Sequence, residues 1–280
     1  MKKIVKTLIA LTLTALVLLC CACANDSVVE ENPDFDLKID ILKIGKADCI
    51  VINTGTKIIM IDTGETENVN TINNYMQKKG YNRIDTLILT HYDKDHIGGA
   101  SKIIAAYEVG EVIESTFVSN TSEYINYHNV LSSKGMEANK LIEDYSAVSD
   151  DCAFKIYTPK KNKYKENSDN NFSLVVELKY KNRSFLFCGD AMELRLSELI
   201  KDGIGNYDFV KLPYHGNYIS NYEEFLNEVN PKYGAITNSN KNPGSEAVIS
   251  MLTNRGVSVF QTKNGEINVV SDGEKIEIYQ

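Results

Sequence analysis

The chain alternates between two spacings of apolar residues. β-Branched runs at residues 37–44, 49–53 and 57–62, parted by turns at Gly45 and Gly55, predict three early strands. Residues 68–79 place Val69, Ile72 and Met76 at helical spacing, and Gly80 closes that helix. Residues 85–90 form a short apolar run that reads as a buried strand. A polar loop follows, then helical spacing at Ile103, Ile104 and Tyr107. A strand at 111–115, a helix at 121–133, a helix or strand at 136–144 and a strand at 154–158 complete the first half. The second half predicts a hairpin of 172–180 and 184–189, then a helix at 192–201 and a strand at 209–212. A helix at 222–229, a strand at 233–237, a helix at 245–254 and a strand at 257–261 come next, and a hairpin at 266–279 closes the chain. No short-period repeat is present. The periods alone establish mixed α and β, arranged as two successive β-rich halves.

The loop after the 85–90 run carries the most concentrated chemistry. Thr90-His91-Tyr92-Asp93-Lys94-Asp95-His96-Ile97-Gly98-Gly99 holds two imidazoles and two carboxylates within six residues. Both groups offer lone pairs to a divalent cation. Carboxylates held together repel, and a cation relieves that repulsion. The loop sits between a strand end and a helix, where ligands gather in α/β proteins.

This stretch resembles the signature loop of the metallo-β-lactamase superfamily, with Asp93 standing where the usual second His would be. That variant, followed by Gly98-Gly99, is similar to the hydrolase domain of ComEC-like proteins. The resemblance implies a four-layer αββα sandwich over residues 37–280. It implies that Asp62, in Ile61-Asp62-Thr63-Gly64, supports the metal loop, and that Asp190, in Cys188-Gly189-Asp190, bridges two cations. Pro213-Tyr214-His215-Gly216 is similar to the His-His-Gly-Ser motif of ComEC-like relatives, with Tyr214 replacing the first His; Tyr can still donate a hydrogen bond. Where other relatives carry a further His, this chain has Asp169-Asn170-Asn171, and Asn170 or Asp169 is a candidate to reach the metal or a substrate phosphate, or to cap the turn.

The expected ligands are therefore His91, Asp93, Asp95, His96, Asp190 and His215, around two divalent ions. Asp95 and His96 are the expected catalytic residues, Asp95 orienting a water and passing on its proton. Asp93 makes the site richer in oxygen, which favours manganese or magnesium relative to an imidazole-rich zinc site. Hydrolysis of a phosphodiester or nucleic acid suits such a centre. Hydrolysis of a lactone, thioester or other carboxylic ester is the alternative enzyme, and a degenerate surface binding protein the non-enzyme. No protein partner is predicted.

Composition narrows this further. The formal charge is −8 over 280 residues, so a nucleic acid would have to be drawn in by metal or by a local basic patch. Lys160 to Lys165 is one such patch, with Tyr164 as a possible stacking ring; a solvated loop is the plainer expectation. Lys2, Lys3 and Lys6 precede an apolar run from Leu8 to Leu19, a signal segment shorter than the ~20 residues of a membrane span. Cys20-Cys21-Ala22-Cys23 then resembles a bacterial lipoprotein cleavage site, Cys23 being the preferred lipidated residue and Cys21 the alternative. Residues 1–22 are thus expected to be a signal peptide and 23–36 a tether. The domain is expected outside the cytoplasm on a lipid anchor, and no role in DNA uptake is carried over. Cys49, Cys152 and Cys188 are an odd set with no CxxC, hence no disulfide framework. His128 is expected on an exposed helix face.

Overall fold

Residue-by-residue alternation in the strands produces two sheets with apolar residues on both faces. The computed structural model describes residues 36–149, 151–165 and 168–280. The signal segment, Cys23 and all but the last residue of the tether lie outside them. The strands are β1 (Leu37–Ile41), β2 (Ile50–Asn53), β3 (Ile58–Ile61), β4 (Arg83–Leu89), β5 (Glu108–Glu114), β6 (Asn139–Lys140), β7 (Tyr145–Ser149) and β8 (Cys152–Tyr157). They continue as β9 (Val175–Tyr180), β10 (Arg183–Phe187), β11 (Phe209–Lys211), β12 (Tyr233–Ile236), β13 (Ser258–Gln261), β14 (Ile267–Ser271) and β15 (Ile276–Tyr279). One sheet runs β15-β14-β1-β2-β3-β4-β5-β6 and the other β13-β12-β11-β10-β9-β8-β7.

The helices are α1 (Val69–Lys79), α2 (Lys94–Ile97), α3 (Ala100–Ala106), α4 (Ser122–Ser133), α5 (Ser168–Asn171), α6 (Glu193–Lys201), α7 (Tyr222–Val229) and α8 (Glu246–Asn254). Among the described residues, no helix is long and apolar enough to cross a membrane.

Three apolar layers follow from the alternation. Ile39, Ile59 and Ile61 face Val176, Phe185 and Phe187 between the sheets. Met60, Leu87 and Leu89 point the other way, onto Ile72 and Met76 of α1 and Ile103 and Ile104 of α3. On the far side Leu186, Val210 and Ile236 pack under Leu196, Phe225 and Leu252 of α6, α7 and α8. Period 2 in a strand and ~3.6 in a helix leave one face of each free for its neighbour. The result is the four-layer αββα sandwich.

Several expectations change in the structure. The sheets are not the two halves of the chain: β14 pairs with β1, so the C-terminal hairpin extends the first sheet. β7 is an edge strand whose side chains are all half-buried or exposed, so it carries no apolar signal in the sequence. The 136–144 stretch contributes just the two-residue β6. Cys49, Cys152 and Cys188 are buried, and none forms a disulfide among the described residues. His128 is half-buried rather than exposed, its ring 4.4 Å from Tyr124 and 4.2 Å from Tyr127, with Nε2 3.3 Å from Glu114.

Candidate metal centre

Neighbouring strands β3 and β4 are parallel, as are β10, β11 and β12. Their C-terminal ends open at one edge of the sandwich, and Asp62, the His91 loop, Asp190, His215 and Thr237 follow those five ends. Parallel strands leave their connecting loops free there to hold polar groups.

The metal loop is fastened by its glycines. His96 O accepts from Thr63 N at 2.7 Å and Thr63 Oγ1 at 3.0 Å, and Gly99 N donates to Gly64 O at 3.0 Å. A Cβ on Gly98 would lie 2.4 Å from Lys94 O and 2.8 Å from Thr66 N. The Gly pair therefore permits an approach that no side chain would allow.

Asp62, fully buried, takes a left-handed backbone at φ 58°. Its carboxylate accepts from Thr90 N at 2.8 Å and Thr90 Oγ1 at 2.7 Å, and meets His96 Nδ1 at 2.7 Å. It thereby orients the ring and leaves Nε2 for the centre. His215 is set by a second strained turn, with Tyr214 at φ 50° and His215 at φ 51°. Such residues cost roughly 1–3 kcal/mol each. Here Thr237 helps to offset the strain, its Oγ1 lying 2.9 Å and its carbonyl 3.1 Å from His215 Nδ1.

Both imidazoles then point Nε2 inward. These atoms are 3.4 Å apart. Asp190 stands beside them, Oδ1 3.3 Å from His96 and Oδ2 3.1 Å from His215. Asp95 Oδ2 is 3.3 Å from His215 Nε2. One ligand atom from each of Asp95, His96, Asp190 and His215 falls within a 4.8 Å cluster. His91 lies alongside, its ring centroid 4.0 Å from that of His96 and its Nε2 3.7 Å from Asp93 Oδ2. Loops far apart in sequence thus bring all six expected ligands to one edge.

A family model, the metallo-beta-lactamase superfamily, matches residues 43–123. Recombination protein 2 of Haemophilus influenzae is 25% identical over 87% of this chain and 30% of its own length. ComE operon protein 3 of Bacillus subtilis is 26% identical over 82% of this chain and 32% of its own. These matches support a ComEC-like domain of the metallo-β-lactamase superfamily. The chain spans about a third of the length of those curated relatives. The fold is shared with the metallo-beta-lactamase fold protein YhfI of Bacillus subtilis at a TM-score of 0.56 and 10% identity, covering 87% of this chain and 99% of that one.

The donors of this domain fit a divalent cation. His91 Nε2 is buried without a hydrogen-bond partner, and Asp190 Oδ1 has none beyond its ion-pair contact with His96; such under-satisfied atoms are costly unless something binds them. Burial disfavours a charged His96, yet Asp190, Asp62 and Asp48 hold its pKa well above the usual imidazole value. His215 is raised against burial in the same way, chiefly by Asp190. Burial alone would raise Asp190, but His215 and His96 hold it well below the carboxylate range. A metal would replace the protons that these groups otherwise need.

The domain contains two charges that pattern reading missed. Lys211 and Asp48 are both buried and form a close ion pair, with Lys211 Nζ 3.1 Å from Gly189 O and 3.9 Å from Asp190 Oδ1. A charged residue inside the apolar run Phe209-Val210-Lys211-Leu212 was the available signal, since a buried charge requires a partner. Asp48 also knots the backbone: its N–H donates to Asp95 O at 3.0 Å and its carbonyl accepts from Gly64 N at 2.8 Å. Asp48, Asp62 and His96 form a second cluster, but Lys211 already supplies the cation there.

Other expectations are corrected or sharpened. Asn170 Nδ2 donates to Met192 Sδ at 3.4 Å. The Tyr214 ring lies 6.0 Å from Lys46 Nζ, and Lys46 pairs with Asp95 at 2.9 Å. In the basic stretch, Lys160 pairs with Asp144 at 2.8 Å and Asp202 at 3.3 Å. Tyr164 is buried, its hydroxyl on Glu198 and its ring 5.0 Å from Phe172, so it is not free to stack on a base.

Proposed function

We propose that this domain is a metal-dependent phosphodiesterase or nuclease, held outside the cytoplasm by a lipid on Cys23. The observation that carries the catalytic reading is the convergence of Asp95, His96, Asp190 and His215 within 4.8 Å. His91 and Asp93 on one side, and Asp95, His96 and His215 on the other, would hold two divalent ions, with Asp190 serving both. Manganese or zinc suits these donors, and magnesium is admissible. When bound, such ions lower the pKa of a water and stabilise charge that develops on a phosphate.

The chain's own residues supply the rest. The Asp95 side chain is 13% exposed, more open than His96, Asp190 or His215. Burial pushes its carboxyl up, but His215, His96 and Lys46 hold it well below the usual range. It is therefore ionised at neutral pH and able to take a proton from an attacking water. Lys46, 30% exposed on the outer side of Asp95, supports an anionic substrate. His96 and His215, each fixed through Nδ1, keep their Nε2 atoms directed inward. Asp93 in place of an imidazole supports phosphodiester rather than β-lactam chemistry.

The test is cleavage of single-stranded DNA by the purified chain with Mn²⁺, against Asp95→Asn. The expected result is cleavage by the wild type, reduced at least ~100-fold in the variant, a typical general-base contribution. Equal cleavage by both proteins would sink the reading. Loss of radiolabelled lipid on Cys23→Ala tests the anchor.

A further inference from the structure

The His91 end of the centre is short of ligands beside the His96 end. His91 is fully buried, and its Nε2 has no hydrogen-bond partner. Asp93 Oδ2 stands 3.7 Å from that nitrogen. The fold delivers a third group to this corner. Leu174 N donates to Thr90 O at 2.9 Å, so the segment entering β9 is stitched to the first residue of the metal loop. The short helix α5, just before that segment, carries Asp169. The Asp169 carboxyl comes within hydrogen-bonding reach of Asp93 and into the field of His91. Its Oδ1 is buried and has no partner. Carboxylates held face to face repel when ionised, and a cation lying with them relieves that repulsion.

We infer that Asp169 is a metal ligand, completing with His91 and Asp93 the site in which this chain lacks a further His. The inference rests on the metal-dependent reading above. It makes the two sites chemically unequal. One imidazole and two carboxylates form a hard, oxygen-rich set that favours manganese or magnesium. The His96 and His215 set is richer in nitrogen and accepts zinc more readily. Asn170, facing Met192 Sδ, takes no part.

The test is titration of the full chain, solubilised in detergent, with Mn²⁺ and then Zn²⁺, by calorimetry and elemental analysis. Wild type is compared with Asp169→Ala, the near-isosteric Asp169→Asn, Asp169→His and the control Asn170→Ala, and circular dichroism reports whether each is folded. The wild type is expected to bind two Mn²⁺. Asp169→Ala and Asp169→Asn should each weaken one ion at least tenfold and leave the other within twofold. Asp169→His should recover the second ion with a shifted preference for zinc, and Asn170→Ala should bind like the wild type. Two Mn²⁺ with unchanged affinities in a folded Asp169→Ala or Asp169→Asn would overturn the inference and leave the metal centre standing. A wild-type chain that binds no metal would overturn both readings, and that result precedes any comparison of variants.

Discussion

His96 and His215 present their Nε2 atoms to each other at 3.4 Å across 119 residues of sequence. Two protonated imidazoles would repel at that distance, and Asp190 at 3.3 and 3.1 Å absorbs the charge. Because both rings are held above their ordinary 6.5, a metal must displace protons to bind. Affinity for Mn²⁺ should therefore fall as pH drops, about tenfold per pH unit for each proton displaced. Calorimetry between about pH 6 and about pH 8.5, in buffers of different ionisation enthalpy, counts the protons released. Zero release across that range would contradict the coupling.

The same rings give the metal-free chain a pH-dependent stability. A His whose pKa is raised on folding adds stability below its unfolded value of about 6.5, and that stability is lost as pH rises through the folded value. Asp190 and Asp95 are depressed, so their contribution is present above about pH 4 and lost in acid. The metal-free chain should be most stable in mildly acidic solution and melt earlier as pH rises past about 7. Thermal melts with chelator would refute this if the midpoint climbed continuously from about pH 6 to about pH 8.5.

Asp62 ties the metal loop to His96. Asp62→Ala removes the acceptor for Thr90 N, Thr90 Oγ1 and His96 Nδ1 together. Metal affinity should fall by roughly 10–100-fold, the usual cost of losing a group that orients a ligand. Asp62→Asn should be milder, since Asn tolerates the left-handed backbone and keeps one acceptor. Parallel Mn²⁺ titrations would show whether that order holds.

The buried pair Lys211–Asp48 lends itself to a double-mutant cycle. Lys211→Met leaves Asp48 buried and uncompensated, and should cost about 3–5 kcal/mol in urea unfolding. Adding Asp48→Asn should return much of that loss, because the stranded charge is gone. Additive losses in the double variant would mean that the pair is not coupled.

Gly98→Ala should act through the backbone. The added Cβ falls 2.4 Å from Lys94 O and 2.8 Å from Thr66 N, so the metal loop must lift from the Thr63 loop. A loss of ~1–3 kcal/mol in stability is expected, as for other overpacked sites. Weakened Mn²⁺ binding should accompany it. Wild-type behaviour in both measurements would remove the close-approach argument.

Much of this was legible in the sequence, for identifiable reasons. The helix Tyr222–Val229 is found where the spacing predicts it, and most strands lie within a few residues of their runs. In each case local period and burial agree. The His91 loop was visible because its donors are adjacent in the chain. Lys211 and Asp48 were not singled out, because a lone Lys on a strand and a lone Asp on a loop usually face water. Asp169 and Asn170 stood equal, since neighbouring side chains on a one-turn helix point in different directions that spacing cannot resolve. Tyr164 read as exposed among lysines, but its ring is buried against Phe172.

By itself, the sequence determined the alternation that builds a layered α and β sandwich, and the set of His and Asp residues able to hold metal. Tertiary structure decided which strands are neighbours, and so where β14 and β15 go and which loops share an edge. It also decided which charges are buried together. Hydrophobic period is a local property that each segment carries alone. Pairing Asp190 and His215 with the His91 loop, or Lys211 with Asp48, depends on strand order and side-chain direction, which arise only when the sheets close on one another.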